Sequence, residues 1–420
     1  MNPGHWVDLP WGERVWLGRV EGGPLLCLLP RRRVGTAWQW TVPLPGRLEK
    51  VRAGGEVFPV PQGTPHVLEH LLFQKAEGDF SLELARLGVE ANAFTTDDYT
   101  AFYATGSAPA REVLPLLFSL VLEASFTADD VALEKLIIAR ELALDRDDPD
   151  HWRERALREA LFVSPHLKGD LLGSRESLDQ VHFSLLQRLH RLFYPPSRGI
   201  LVGVGPLEPE KVSEAAASLL TSFSWPQEEA EIILSPEPKI LPVSALEGSG
   251  GSVHPWAALA WKGEPLDLAA GLLTAVALEA LLGRSSRWRE EAEAEGAVDP
   301  TLAYGWGGGR RYPYLVVEGE TEDPHRWFQA VEEGLGGRLF QEEVRRAAEK
   351  IRGRLLRSFD SQEEAASHLS ESLYYGDDPG AFWDLLQGAG PEEVAGLFHR
   401  VLAGPGARVI QWPQRKGGQP

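Results

Sequence analysis

The order of elements in this 420-residue chain runs twice, and that repetition constrains the fold more than any other feature. Asp130-Val131 opens a helical stretch, and 213 residues later Glu343-Val344 opens another. Gln180-Val181 ahead of Leu189-His190-Arg191 is echoed by Glu393-Val394 ahead of Phe398-His399-Arg400. A turn and a strand follow each copy, Arg198 to Val204 and Arg408 to Gln411. The two copies agree in element order and only weakly in residues. A duplicated mixture of strands and helices predicts two homologous α+β units of about 200 residues each. The stretch from Trp225 to Pro242 holds Pro226, Glu228, Glu229, Pro236 and Pro238, a composition suited to a linker. The expected division is therefore a first domain over 1–224, a linker over 225–242 and a second domain over 243–420.

Within the first domain, Val15 to Val20 and Pro24 to Leu29 read as a hairpin turned at Glu21-Gly22-Gly23. Ala37 to Val42 alternates like a half-buried strand, and Gly199 to Val204 is apolar enough for a buried one. The Gly- and Pro-rich stretch 43–65 reads as a loop or broken strand. A helix is expected from Thr64, with Thr64 as its N-cap and Pro65 in the first turn. Another starts near Ser81, a strand covers 91–105, and longer helices cover 110–125 and 128–145.

Lys and Arg number 42 against 61 Asp and Glu, a net charge of −19 that repels nucleic-acid phosphates and anionic lipid. The single cysteine, Cys27, excludes an intrachain disulfide, and its apolar surroundings suit a buried strand. No basic-then-apolar leader opens the sequence, and no apolar run is long enough to span a bilayer. The expectation is a cytoplasmic protein with neither nucleic-acid nor membrane partners.

The helix beginning at Thr64 carries His66-Val67-Leu68-Glu69-His70. Residues i and i+4 share one helix face, so the two imidazoles can hold one metal ion. Glu69, three residues after His66, leans toward that face and can accept a proton from a water activated by the metal. This is the H-x-x-E-H order, the reverse of H-E-x-x-H. The bland alternative is a surface helix with two solvated histidines. Catalytic zinc usually takes three protein ligands and a water. Glu134 and Glu141, two turns apart on one helix face, are candidates for the third place, or else ordinary exposed carboxylates. The second half has no counterpart of the motif.

On these residues the chain resembles the insulinase, or pitrilysin, family of zinc peptidases, which includes mitochondrial processing peptidase and bacterial relatives. The family pattern runs H-x-x-E-H, then N-A-x-T, then two glutamates seven apart, then a D-x-P-like stretch. Here these are His66 to His70, Asn92-Ala93-Phe94-Thr95, Glu134 with Glu141, and Asp147-Asp148-Pro149. The resemblance implies the LuxS/mitochondrial processing peptidase-like metallohydrolase fold: two α+β domains, each a mostly antiparallel sheet packed with helices, facing each other as a clamshell. It implies that His66, His70 and Glu141 bind Zn2+, that Glu69 is the catalytic base, and that Glu134 orients a ligand. It also implies that Asn92, Ala93, Phe94 and Thr95 line the cleft, where an extended peptide adds to the strand edge. For Asn92 the bland alternative is a turn residue.

The family's second domain supplies an Arg and a Tyr, seven apart, that clamp substrate. The matching positions after Ser285-Ser286-Arg287 fall on Ala292 or Glu293 and on Asp299 or Pro300. Arg310, Arg311 and Tyr312 are a local substitute or simply a hairpin tip. The chain is thus expected to be the zinc-bearing subunit of a peptide-hydrolysing heterodimer, its homologous partner bringing the Arg/Tyr pair. A self-sufficient homodimer and a non-catalytic scaffold with a vestigial site are the alternatives.

Overall fold

The computed structural model describes residues 2–75, 78–145, 148–225 and 228–413. Asp147 of the D-x-P-like stretch and Pro226 of the expected linker lie outside them. The architecture is α+β, built on two larger sheets.

The first sheet has seven strands in the order Asn2–Asp8, Arg14–Arg19, Leu25–Pro30, Ile200–Gly205, Thr36–Val42, Thr100–Gly106, Val89–Thr95. Every neighbouring pair is antiparallel except Ile200–Gly205 beside Leu25–Pro30. The second sheet has five strands: Ala245–Gly250, Gly406–Pro413, Trp256–Lys262, Tyr314–Glu320, Ala303–Gly307. Here too one pair is parallel, Ala245–Gly250 with Gly406–Pro413, at the same place in the order. The duplication visible in the sequence is thus a duplication of sheet topology. Cys27 is fully buried on a central strand, and burial pushes its thiol up to about 12, as suits a packing residue.

The compact units are not the two halves of the chain. One comprises residues 1–140, 170–234 and 356–381; the other comprises 141–169, 235–355 and 382–420. The reason is an exchange of helices. Pro149–Leu161, from the first half, packs on the five-stranded sheet with Ala156, Leu157, Ala160 and Leu161 buried against Trp256, Ala258 and Val409. Gln362–Tyr375, from the second half, covers the seven-stranded sheet. Ser370 shares a 2.6 Å hydrogen bond with Thr41 there, and Tyr375 donates to Asp98 Oδ2 at 2.6 Å. The boundary between residues 140 and 141 falls inside the continuous helix Ala128–Asp145, so Glu141 rides on the same helix as Glu134.

Of three local expectations two are corrected, and the loop or broken strand expected over 43–65 resolves into two short strands. Residues 91–105 are not one strand but a hairpin, Val89–Thr95 and Thr100–Gly106. The turn forms because Thr96 Oγ1 accepts from the amides of Asp98 and Tyr99, while Arg47 holds Asp97 in a buried ion pair at 2.7 Å. The stretch 43–65 contains strands Lys50–Ala53 and Glu56–Pro59, which form a small sheet with Ala230–Ile233 out of the expected linker. Glu237 of the expected linker is also tied down, accepting from Val163 N, Ser164 N and Lys262 Nζ at 2.7–2.9 Å.

Third, the cap of the motif helix is Gly63, not Thr64, and no side chain caps it. Gly63 sits at φ +82°, and a Cβ there would meet the Leu172 carbonyl oxygen at 2.4 Å, so only glycine fits. Thr64 Oγ1 instead donates to Pro61 O.

Candidate metal centre

The motif helix Thr64–Leu72 is held by its apolar face. Val67, Leu68, Leu71 and Leu72 are all fully buried, each contributing about 1.5–3 kcal/mol. That anchoring leaves His66 and His70 on the opposite side, with side chains 17% and 25% exposed, open enough to meet an ion. Their rings lie 4.4 Å apart, as i and i+4 demand.

The second helix, Ala128–Asp145, starts with a reciprocal cap: Asp130 Oδ2 accepts from Thr127 N, and Thr127 Oγ1 accepts from Asp130 N. Val131, Glu134 and Ile138 form its buried stripe. Glu141, two turns past Glu134, falls on nearly the same side, and its carboxylate joins His66 and His70 in one cluster. One ligand atom from each of the three lies within 4.8 Å of the others. A tetrahedral zinc with bonds near 2.0–2.1 Å sets its ligands about 3.3 Å apart, which small side-chain rotations reach from here. Two imidazoles and one carboxylate are a donor set that zinc accepts, so the residues present fit the metal.

Around the cluster two buried carboxylates are already committed. Glu134, 4% exposed, stands 2.8 Å from His70 Nδ1. An Nδ1–H donating to that carboxylate leaves the Nε2 lone pair free for an ion. Glu69, 5% exposed, accepts from Thr95 Oγ1 at 2.5 Å and lies 3.8 Å from His66 Nδ1. Thr100, across the hairpin from Thr95, donates to Leu44 O. The fully buried Tyr194 has its phenol pushed well up by burial first and by the Glu69 charge second.

The cleft-lining expectation falls on Val89–Thr95, the edge strand of the seven-stranded sheet, paired on one side with Thr100–Gly106. Among the described residues its other edge has no strand partner. Asn92 is exposed, and its Oδ1 accepts from Ala93 N. Thr95 turns to Glu69, a role the N-A-x-T spacing did not reveal. Tyr194 was also missed, since no local pattern links it to a motif more than 100 residues away.

The five-stranded unit holds a different arrangement on its own edge strand. Tyr304 of Ala303–Gly307 donates to Glu279 Oε2 at 3.1 Å, and Lys350 Nζ reaches Glu279 Oε1 at 2.6 Å. Arg354 Nη2 lies 3.5 Å from the same carboxylate. Counted 213 residues on, Glu134 and Glu141 become Ala347 and Arg354. Where the first half of the chain offers carboxylates to a cation, the second half supplies its own cations to a buried carboxylate. Arg289, near the expected Arg/Tyr positions, is buried and spent on Glu293 and the carbonyls of Asp299 and Leu302. Arg310, Arg311 and Tyr312 lie in the connection between strands Ala303–Gly307 and Tyr314–Glu320, a hairpin tip.

Residues 59–175 match the insulinase (peptidase family M16) domain. The uncharacterized zinc protease YmfH of Bacillus subtilis is 26% identical over 330 residues, 76% of this chain and 77% of that protein. The structure of an M16-like peptidase from Alicyclobacillus acidocaldarius superposes with a TM-score of 0.92, covering 97% of this chain and 100% of that one at 23% identity, a likeness of fold. An inactive M16 peptidase domain from Pseudomonas fluorescens superposes at 0.79, over 97% of this chain and 99% of that one, at 16% identity. Residues 59–175 are thus similar to the insulinase (peptidase family M16) domain, and the metal of that family is zinc.

Proposed function

We propose that this chain is the zinc-bearing subunit of an endopeptidase that hydrolyses peptides or unfolded segments. The observation that carries the reading is the convergence of His66, His70 and Glu141 beside the buried carboxylate of Glu69, which lies 3.8 Å from His66 Nδ1. Held by His66, His70 and Glu141, zinc would polarise the scissile carbonyl and acidify the attacking water. Glu69 takes the proton from that water and passes it to the leaving amine. Thr95 fixes Oε2 of Glu69, leaving Oε1 to receive the proton. Glu134 keeps His70 in one tautomer and one ring orientation. The unpaired edge of Val89–Thr95 accepts an extended substrate backbone, with Asn92, Ala93, Phe94 and Thr95 beneath it.

Substrate clamping is the part this chain lacks, because Ala292 or Glu293 and Asp299 or Pro300 stand where an Arg and a Tyr are wanted. A lost oxyanion donor costs about 3 kcal/mol of transition-state stabilisation, so a homologous partner subunit completes the enzyme. A non-catalytic role is the second reading, favoured by the similarity to an inactive domain. The deciding experiment assays a fluorogenic peptide with pure chain, with chain plus a co-purified homologue, and with Glu69→Gln. Turnover that rises with the homologue and falls by several orders of magnitude in Glu69→Gln, at unchanged zinc content, supports the peptidase. A Glu69→Gln protein as active as the native one overturns it.

A further inference from the structure

A groove of about 690 Å³ opens on the first unit between the strand Glu56–Pro59 and the first turns of the helix Phe183–Phe193. Its size is that of a site for a small ligand or a few residues of peptide. Its chemistry runs against the rest of the molecule. The chain carries a net charge of −19, yet the groove is lined by Arg188, Arg191 and His182 and by no acidic residue.

The two arginines stand one turn apart on the same helix face and differ in their state. Arg188 is set in place: its guanidinium lies 3.9 Å over the ring of Phe58 and 2.9 Å from Glu56. Stacking and ion pairing hold the planar group in one orientation while leaving N–H donors toward the groove. Arg191 is exposed, with no ion pair or hydrogen bond among the described residues. Below them is the start of the helix. His182 occupies its N-cap position without a side-chain hydrogen bond to the first turn, and Ser184 of that turn also lines the groove. Phe58 and Leu185 make the apolar part of the wall.

This arrangement suits an anionic group attached to an apolar neighbour. It does not suit an added strand, because Pro59 and Pro61 remove amide donors from the wall. Pro61 precedes His66 by five residues, so the groove lies within about 18 Å of chain from the metal-ligand cluster, a span of about five or six extended residues. We propose that the groove is a docking site for a carboxylate of the peptide substrate, either an acidic side chain or the C-terminal carboxylate, with the adjoining apolar side chain against Phe58 and Leu185. The choice of a peptide rests on the peptidase reading; the preference for an anion rests on the groove alone.

The test measures binding and not turnover, so that it fails separately from the peptidase reading. Glu69→Gln full-length chain is titrated calorimetrically with three hexapeptides sharing Ac-Ala-Leu-Ala-Leu and ending in Glu-Glu-amide, Gln-Gln-amide or Gln-Gln with a free carboxylate. At least one of the two anionic peptides is expected to bind about tenfold tighter than the neutral one, with the advantage shrinking as salt rises. Which of them does so identifies the carboxylate that is read. The advantage is expected to vanish in Arg188→Gln and to fall in Arg191→Gln, an exposed position where folding is not at stake. Equal binding of all three peptides, no binding of any, or an advantage that survives both substitutions would overturn the proposal. So would inorganic phosphate binding as tightly as the best peptide, since the groove would then hold a free anion.

Discussion

The hydroxyl of Thr95 donates to Oε2 of Glu69 at 2.5 Å, joining the edge strand of the seven-stranded sheet to the motif helix. Glu69 is buried, so the donor that orients it matters more than it would in water. Replacing Thr95 by the nearly isosteric Val removes the donor and keeps the volume. A hydrogen bond to a charged group contributes about 1.5–3 kcal/mol. Thr95→Val is therefore expected to lower kcat by about 10- to 100-fold while zinc content, measured by elemental analysis, stays stoichiometric. Loss of the metal along with activity would mean that Thr95 supports the fold of the site and not the base.

His70 and Glu134 form the other fixed pair. His70→Ala deletes a ligand and is expected to abolish stoichiometric zinc. Glu134→Gln keeps the shape but weakens the acceptor for Nδ1–H, and partners of this kind typically contribute 10- to 100-fold in metal affinity. Competition with a chelator of known affinity reads that loss directly. A Glu134→Gln chain that holds zinc as tightly as the native one would show that the 2.8 Å contact does not tune His70.

His190 gives the first unit an acid-labile point. Burial pushes its pKa down to about 4, with the nearby Lys75 charge adding to the effect and the hydrogen bond to Val121 O opposing it. Above pH 6.5 the imidazole is neutral both folded and unfolded and contributes no pH dependence. Between about 6.5 and 4 only the unfolded chain takes up the proton, so stability falls across that window, by about 3 kcal/mol at its lower end. His190→Gln, which keeps an amide donor for Val121 O, is expected to flatten this part of the curve in urea titrations at pH 7, 6 and 5. An unchanged slope would place the acid sensitivity elsewhere.

Glu279 is the corresponding test in the second unit. Its buried carboxylate accepts from Tyr304 and from Lys350, and burial followed by the Glu279 charge pushes the Tyr304 phenol upward. The Lys350 and Arg354 side chains are 41% and 61% exposed, which screens the loss of their partner. Glu279→Gln should therefore destabilise the chain by about 1–2 kcal/mol, less than a fully buried pair would cost. Zinc content should not change. Added zinc in this variant would show that the cation cluster had been masking a second metal position.

What the sequence by itself determined is what local periodicity can determine. The spacing of His66, Glu69 and His70 places them on one side of a helix because an α-helix turns every 3.6 residues, and the same rule aligns Glu134 with Glu141. The buried faces of both helices follow from their own apolar positions. The repeat of element order likewise announced a repeat of sheet topology. Contacts between segments far apart in the chain obey no such short period. Tertiary structure alone decided that 91–105 folds back on itself, that Thr95 meets Glu69, and that Tyr194 is buried within reach of the Glu69 charge. It also decided that Pro149–Leu161 and Gln362–Tyr375 each cover the sheet built mostly from the other half of the chain. The physical reason is that an amphipathic helix specifies only that its apolar face be covered. Which sheet covers it depends on the shape and register of surfaces assembled from many strands, and no single stretch of sequence contains that information.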